Sequence, residues 1–309
     1  MKGLMPLLFF LLFHISCYGF IETQYRSIEF KLGSSGVRNI DYIYLINLDQ
    51  RPEKWENSMR QLIPHGIFPE RFPGIYGWTL TPRALHNMGL KFRNGMWNGK
   101  ESVMHFPLDG NGTPQWIHLS EAFYGKACFS GWTVIGTLGC TLSHLSVMKD
   151  AYDSGYNTIW IMEDDISIKS DPHKLSDLIE ELDALVGPDG WDLLYTDYDA
   201  LVVDKNADIS SQIPYYWRPD MPDFDVRSLT KHQDLNDHFM KIGGRMRAHS
   251  IIYRKCGLEK ILKFYKEHDN FLPYDTEVAM IPGIQMYVVK KDIVSVKEET
   301  SDTRNRYFK

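Results

Sequence analysis

The chain has 309 residues, with 34 basic and 40 acidic side chains and a formal net charge of −6 at pH 7. Hydrophobic residues make up 43% and charged residues 24%, as in an ordinary soluble protein that can bury a sizeable core. The acidic balance argues against a nucleic-acid-binding protein, which usually presents a basic face.

The N-terminus, residues 1–19, has the pattern of a secretory signal peptide or an uncleaved signal anchor. Lys2 precedes an apolar run from Leu4 to Phe13, and small and polar residues follow. Either form predicts the secretory pathway or cell envelope, and an anchor would also associate the protein with a membrane through its N-terminus. An uncleaved anchor would also allow a cytoplasmic face.

The rest of the chain is predicted to be a linker, residues 20–38, and a single domain, residues 39–309. The linker is polar and contains glycine and serine. Beyond the signal segment, Cys128, Cys140 and Cys256 remain, and these scattered cysteines form neither a disulfide framework nor a zinc-binding sequence pattern.

The domain is predicted to open with a buried strand and a helix. Residues 43–48 form an apolar run rich in β-formers. Pro52 suits a first helical turn, and Trp55, Met59 and Leu62 then recur at helical spacing. A strand, a short turn and a helix in this order are typical of nucleotide-binding α/β domains.

Two irregular insertions are predicted, near residues 73–135 and 203–247. The first holds half of the eight tryptophans, many glycines and little periodicity, which predicts a lid or binding loop. Its tryptophans could stack on sugar rings, although most are expected to pack a loop-rich layer. They are Trp78, Trp97, Trp116 and Trp132.

Between and after these insertions, strands alternate with helices. Helices are predicted at residues 136–155, 171–187 and 256–268, and strands at 157–162, 191–199, 248–253 and 285–290. This alternation predicts an α/β fold with a mostly parallel central sheet and helices on both faces.

The segment WIMEDD, residues 160–165, places three carboxylates directly after an apolar strand. In extended chain, Glu163 and Asp165 point to one side and Asp164 to the other. Two carboxylates at the carboxyl end of a strand suit a divalent cation that also contacts substrate phosphate. The alternatives are a solvated acidic turn, or a cation bound instead by Asp197 and Asp199 after the next strand.

Three segments in this order resemble glycosyltransferase family 25, which includes lipooligosaccharide and collagen galactosyltransferases. They are YLINLDQRPEKW, GTLGCTLSH and IMEDD, and the resemblance covers residues 41–200, with looser similarity in AHSIIYRKCGLEKIL and PYD. The chain departs from the family pattern at Lys54, Tyr76 and Thr137, where the family tends to have Arg, Asp and Glu. These departures bear on acceptor identity and on activity.

The resemblance implies a GT-A-like domain that uses a nucleotide-diphosphate sugar, typically UDP-galactose, with manganese. Glu163 and Asp165 would hold the cation. The predicted donor-binding residues are Asn47, Arg51, Gly139, His144 and Asp164. Arg51 could equally be a surface residue at a helix start, Gly139 a packing residue, and His144 a core histidine bonded to a backbone carbonyl.

Inverting glycosyl transfer to a hydroxyl of a glycan or glycoconjugate needs a base, and a carboxylate suffices. Asp275 in the segment LPYDTEVA is the first candidate and Glu277 the second. Asp275 would also suit a helix N-cap.

Two other functions remain open at this stage. A metal-dependent phosphoester hydrolase also uses strand-end carboxylates, but it usually adds histidines, and none occurs between His144 and His173. A catalytically silent sugar-nucleotide-binding protein would share the fold. The sequence gives no indication of oligomeric state.

Overall fold

An eight-stranded sheet organises the part of the chain that the computed structural model describes, which is residues 21–34, 36–96, 102–118, 124–198 and 216–297. The predicted signal segment, Trp97 and Asp199 lie outside these ranges. The strands are β1 (Tyr42–Asn47), β2 (Glu70–Pro73), β3 (Leu90–Lys91), β4 (Ser102–His105), β5 (Gln115–His118), β6 (Ala127–Ser130), β7 (Thr158–Glu163), β8 (Ile166–Ile168), β9 (Leu193–Tyr195), β10 (His232–Asp234), β11 (Phe239–Ile242), β12 (Ser250–Arg254), β13 (Met286–Val289) and β14 (Val294–Val296). The helices are α1 (Pro52–Leu62), α2 (Pro82–Met88), α3 (Ile135–Asp153), α4 (Lys174–Val186), α5 (Lys255–His268) and α6 (Tyr274–Val278).

The central sheet has the strand order β10-β11-β13-β9-β12-β7-β1-β2. Strand β1 is parallel to β2 and β7, and β9 is parallel to β13. Strand β12 runs antiparallel to both of its neighbours, and β10 and β11 extend the far edge in antiparallel pairs. The predicted α/β class is confirmed, and the strand directions are mixed.

Helices cover both faces of the sheet because successive side chains of each strand point to opposite sides. On one face, Tyr44 and Ile161 belong to the core cluster that contains the apolar residues of α3 and α5. On the other face, Leu45 and Trp160 belong to the cluster that contains those of α1 and α4. Two apolar layers therefore hold the sheet edge on which the acid triplet, Glu163, Asp164 and Asp165, lies.

Helix α3 is buried over most of its length. Leu138, Leu142, Leu145 and Met148 recur at helical spacing and are fully buried, whereas Tyr152 is 39% exposed near the helix end. The helix is also buried on other sides because it lies between the sheet, α5 and the turn at Gly77–Thr79. The polar residues of its first half are thereby brought into the interior.

The first insertion is more regular than its sequence indicated. Strands β3 to β6 form a four-stranded sheet of order β3-β6-β4-β5, and α2 packs beside it. These strands are only two to four residues long, too short for an alternation of apolar and polar residues to be recognised. The prediction of a stretch without regular structure is therefore corrected.

Residues 21–34, part of the predicted linker, make contacts with the domain. Ile21 is buried in the core, and the backbone N–H of Arg26 donates to Oγ of Ser146 on α3. Nζ of Lys31 lies 2.6 Å from a carboxylate oxygen of Asp150 and over the rings of three tyrosines. Among the described residues, no helix combines the length and the apolar character needed to cross a bilayer.

Candidate active site

A cleft lies at the sheet edge where β1, β2 and β7 end. These strands are parallel, so their carboxyl ends meet at one edge, and Ile46 of β1 pairs in register with Glu163 of β7. The first half of α3 forms another wall. The cleft encloses about 640 Å³, open solvent included. Its described lining residues are Ile46, Leu48, Lys54, Gly74, Ile75, Tyr76, Gly77, Gly136, Cys140, Ser143, His144, Glu163, Asp164 and Asp165.

Asp164 is held by side chains from β1 and α1. Nδ2 of Asn47 donates to Oδ2 of Asp164 over 2.7 Å, and Nζ of Lys54 lies 3.8 Å from Oδ1. Lys54 is only 4% exposed, so its ammonium group requires a charged partner of this kind. In the sequence, Lys54 is only a departure from the family pattern, although its place one turn after Arg51 in a helix that starts at the sheet edge could have indicated a role.

Glu163 is hydrogen-bonded to α3. Nε2 of His144 lies 2.9 Å from Oε1 of Glu163, and Sγ of Cys140 lies 3.7 Å from the same oxygen. Burial alone would raise the pKa of Glu163, but the hydrogen bond and charge of His144 lower it. His144 is therefore a buried histidine, as one alternative expected, but its partner is the acid triplet rather than a backbone carbonyl.

Of the three acids, Asp165 has the negative charge that the surrounding residues offset least. Its Oδ1 is shielded from solvent and has no hydrogen-bond partner among the described residues. Burial, and then repulsion from Glu163 and Asp164, raises the pKa of Asp165 to about 8. A nearby cation would relieve both effects, and the carboxylate oxygens of Glu163 and Asp165 are ligands that suit a hard divalent ion.

Asp275 borders the same cluster from the first turn of α6. The backbone N–H groups of Arg247 and Thr276 donate to its two carboxylate oxygens over 2.7 and 2.9 Å. Burial raises the pKa of Asp275, and repulsion from Glu163 adds to this shift. The residue at the N-cap of α6 is Pro273, so the structure does not support the alternative of Asp275 as an N-cap.

The second base candidate, Glu277, requires a correction. It is fully buried and forms an ion pair with Arg218, which is also fully buried. Nδ2 of Asn270 and the backbone N–H groups of Phe271 and Leu272 also donate to its carboxylate. Both oxygens of Glu277 are thus used to join α6 to the segment before it, which is a structural role.

Arg51 and Gly139 both have contacts that serve the local fold. Nε of Arg51 donates to Oε1 of Glu53 over 2.5 Å, and Arg51 is absent from the described lining of the cleft. An added Cβ on Gly139 would lie 2.4 Å from the backbone N of Gly77 and from the O of Ile75. Gly139 therefore permits α3 to lie directly on the chain that follows β2, the packing role that the sequence left open.

The rival cation site at Asp197 and Asp199 is only half described, since Asp199 lies outside the described residues. Asp197 is 1% exposed and is engaged by Arg245, His249 and Ser295 at 2.5, 2.9 and 2.7 Å. Burial works against ionisation, but His249 and Arg245 lower the pKa of Asp197 to about 2. The carboxylate is thus neutralised by the protein itself.

The tryptophans of the first insertion differ in exposure. Trp116 and Trp132 are 59% and 48% exposed, and the ring of Trp116 lies against Gly131. Trp78 is half-buried. These positions leave a stacking role open for Trp116 and Trp132.

Comparison with known proteins places this site in a family. The model of glycosyltransferase family 25, described as an LPS biosynthesis protein, matches residues 40–276. A glycosyltransferase 25 family member of Aedes aegypti is 26% identical over 50% of this chain and 21% of its own length. Procollagen galactosyltransferase 1 of Danio rerio is 22% identical over 53% of this chain and 22% of its own length. A human relative, 26% identical over 50% of this chain and 21% of its own length, is named an inactive glycosyltransferase 25 family member 3.

The chain thus aligns with about a fifth of the length of these relatives. The mixed α/β sheet with helices on both faces is consistent with the GT-A-like fold that the resemblance implied. A match to the family model over residues 40–276 covers most of the domain and includes the acid triplet, α3 and Asp275. On this evidence, the chain belongs to glycosyltransferase family 25.

Proposed function

We propose that this chain is a metal-dependent, inverting hexosyltransferase that moves galactose from UDP-galactose to a hydroxyl group of a glycan or glycoconjugate. The observation that carries the proposal is Asp165, a shielded carboxyl group beside Glu163 with an unsatisfied oxygen at the carboxyl edge of the sheet. Such a group is expected where a cation completes a site.

Glu163 and Asp165 would hold the divalent cation, and we propose manganese. Cys140 and His144 both contact Oε1 of Glu163, and Oε2 has no hydrogen bond from the described residues. The bound cation would neutralise the charge that develops on the leaving diphosphate. Lys54 and Asp164, which already form an ion pair beside it, would border the donor.

Asn47 would position Asp164 rather than contact the donor itself. Its Nδ2 donates both to the backbone O of Arg51 and to Asp164, while its Oδ1 accepts from Nε of Arg71. The side chain is thereby used at both ends. We assign donor contact to Asp164 and Lys54, which line the cleft.

Asp275 would be the base that accepts the proton of the acceptor hydroxyl. Its two backbone hydrogen bonds fix the carboxylate, and burial raises its pKa, which makes it a stronger base than an exposed aspartate. The charge of Glu163 also raises the pKa of Asp275, which supports a place for this base beside the donor-binding acids.

One assay separates this function from its alternatives by the bond that breaks. The protein is incubated with UDP-galactose and manganese, with and without a hydroxylysine-containing collagen peptide or a lipooligosaccharide acceptor. A transferase releases UDP, together with galactosylated acceptor or, slowly, free galactose. Release of UMP and galactose 1-phosphate would instead show that water attacks phosphorus and breaks the P–O–P bond, as in a metal-dependent phosphohydrolase, an alternative that the contact of His144 with Glu163 keeps open.

Binding of UDP without any product would indicate a catalytically silent protein, as the name of the human relative suggests for that protein. We also propose that the chain acts in the secretory pathway or cell envelope, on the basis of residues 1–19. N-terminal sequencing of the mature protein tests cleavage near residue 19, and an intact Met1 in a membrane fraction would indicate an anchor.

A further inference from the structure

Three side chains of different chemistry converge on one wall of the cleft. Sγ of Cys140, a ring nitrogen of His144 and a carboxylate oxygen of Glu163 all lie within 4.8 Å of one another. The cysteines are scattered along the sequence and form no zinc-binding sequence pattern. The structure brings one of them beside a histidine and a carboxylate from another element.

The three groups are held in place by the fold. Cys140 and His144 are four residues apart on α3, so they project from the same side of the helix one turn apart. His144 is 1% exposed and stacks on the ring of Tyr274 at 4.7 Å between centroids. Glu163 ends β7, where its backbone N–H donates to the O of His249 over 2.8 Å. A site with fixed ligands loses little conformational freedom on binding.

The chemistry of this set differs from that of the carboxylate pair. Thiolate and imidazole ligands select borderline-soft ions such as zinc, whereas carboxylates suit manganese and magnesium. Zinc binds cysteine, histidine and carboxylate together in tetrahedral sites, and three protein ligands leave a fourth position open. Here that fourth position would face the cleft, which these three residues line.

We propose that Cys140, His144 and Glu163 form a binding site for a thiophilic divalent ion of the zinc class, distinct from the pair Glu163 and Asp165 and competing with it for Glu163. On binding, the Cys140 thiol loses its proton to solvent and the sulfur becomes a ligand. Nε2 of His144 gives up its contact with Glu163 and donates its lone pair to the ion, with the ring proton on Nδ1. No bond to carbon changes and no electron is transferred.

Cobalt(II) titration of the full chain tests the site without any donor, acceptor or turnover. A thiolate ligand gives cobalt an intense sulfur-to-metal charge-transfer absorption, which carboxylate and imidazole ligands do not give. We expect this absorption in the wild type. We also expect it in the control variant Cys256→Ser, because the Cys256 thiol lies on α5, where it contacts the backbone O of Trp191. We expect none in Cys140→Ser.

His144→Gln keeps the thiol and removes the imidazole, so we expect the absorption to persist with cobalt affinity lowered at least roughly tenfold. Absence of the absorption in the wild type, or its survival in Cys140→Ser, would overturn the site. If Cys140→Ser has lost its native circular dichroism, the affinity of His144→Gln decides: an unchanged value overturns the proposal.

Two further measurements separate this proposal from the proposed function. Asp165→Asn should keep the cobalt absorption while losing the manganese-dependent stabilisation by UDP, because only the second site includes Asp165. Zinc added to the wild type should reduce the manganese-dependent stabilisation by UDP. If the stabilising effects of zinc and of manganese with UDP are fully additive, the two sites do not compete for Glu163 and that part of the proposal is overturned. If cobalt binds the thiol but manganese and UDP do not stabilise the protein, the proposed function is wrong and the site at Cys140, His144 and Glu163 is supported.

Discussion

At the scale of single residues, the acid triplet is three different groups rather than one motif. Asp164 is neutralised by Lys54 and hydrogen-bonded to Asn47, and Glu163 is hydrogen-bonded to His144. Asp165 lacks a comparable partner among the described residues, and its pKa is raised to about 8. The sequence showed where the acids are, but their difference depends on partners from β1, α1 and α3.

Asp165→Asn should therefore have opposite effects on binding and on stability. Thermal unfolding with manganese and UDP should lose its ligand-induced shift, because the diphosphate loses one ligand of its clamp. The metal-free variant should be at least as stable as the wild type, because the repelled carboxyl group is gone. A structural aspartate would do the reverse, with stability lost and the ligand shift retained.

Asp197 should give a pH dependence of stability in the acid range, opposite in sign to the one that the raised pKa of Asp165 gives between pH 4 and 8. Its folded-state pKa is lowered from 3.8 to about 2, so it contributes stability that is complete above pH 4 and is lost as the pH falls towards 2. For this buried carboxylate the contribution is roughly 2 kcal/mol. Chemical denaturation as a function of pH measures it.

Replacement by Asp197→Asn leaves Arg245 and His249 without their counter-charge, which costs roughly 3–5 kcal/mol at neutral pH. The difference from the wild type should shrink as the pH falls from 4 to 2. The exposed Asp177→Asn serves as control, with a change within roughly 0.5 kcal/mol at every pH. A pH-independent difference for Asp197→Asn would show that its charge is not what stabilises the fold.

At the scale of elements, α3 places Cys140 and His144 because its backbone touches the chain after β2. The added methyl group of Gly139→Ala would meet backbone atoms of Gly77 and Ile75, which cannot move as a side-chain end can. We expect the free energy of unfolding to fall by roughly 1–3 kcal/mol, together with weaker UDP binding. Thr137→Ala on the half-exposed side of α3 is the matched control. Normal stability in Gly139→Ala would mean that α3 can move away from the backbone of Ile75 and Gly77 without loss of stability.

Helix α6 carries the proposed base, Asp275, and the ion-paired Glu277 within one turn. Asp275→Asn keeps the shape of the side chain, so we expect donor binding to be retained and turnover to fall roughly a hundredfold or more, as for loss of a general base. Glu277→Gln breaks a buried ion pair and should lower the free energy of unfolding by roughly 3–5 kcal/mol. If Glu277→Gln instead loses turnover but keeps its stability, and Asp275→Asn is less stable but keeps its turnover, then Glu277 is the base.

The elements that the sequence predicted are those with long apolar patterns. Strands β1 and β7 and helices α1, α3, α4 and α5 all lie within a few residues of their predictions. The small sheet of β3 to β6 was missed because its strands are too short to show a period. The role of Glu277 was missed because its partner Arg218 is 59 residues away, and no local pattern encodes such a pair.

At the scale of the whole molecule, the parallel strands β1, β2 and β7 bring together groups that are far apart along the chain. Asn47, His144, Glu163 and Asp275 reach one sheet edge from β1, α3, β7 and α6. The family match could predict that these segments matter, because it spans residues 40–276. It could not predict which carboxylates lack a partner, because this depends on distances between elements.

Convergence at one edge predicts how the molecule responds to ligand. Manganese and UDP together should slow amide hydrogen exchange in three separate segments at once: residues 74–77, 135–140 and 163–165, which border the cleft. The reason is mass action, since a ligand that binds only the native arrangement makes local opening of each contacting segment less frequent. Residues 232–242, at the opposite edge of the sheet in β10 and β11, should exchange at an unchanged rate and provide an internal control. Asp165→Asn should abolish the protection in all three segments together, because they share one ligand. Protection that persists in this variant, or that is confined to 232–242, would place the nucleotide elsewhere on the molecule and remove the acid triplet from the proposed site.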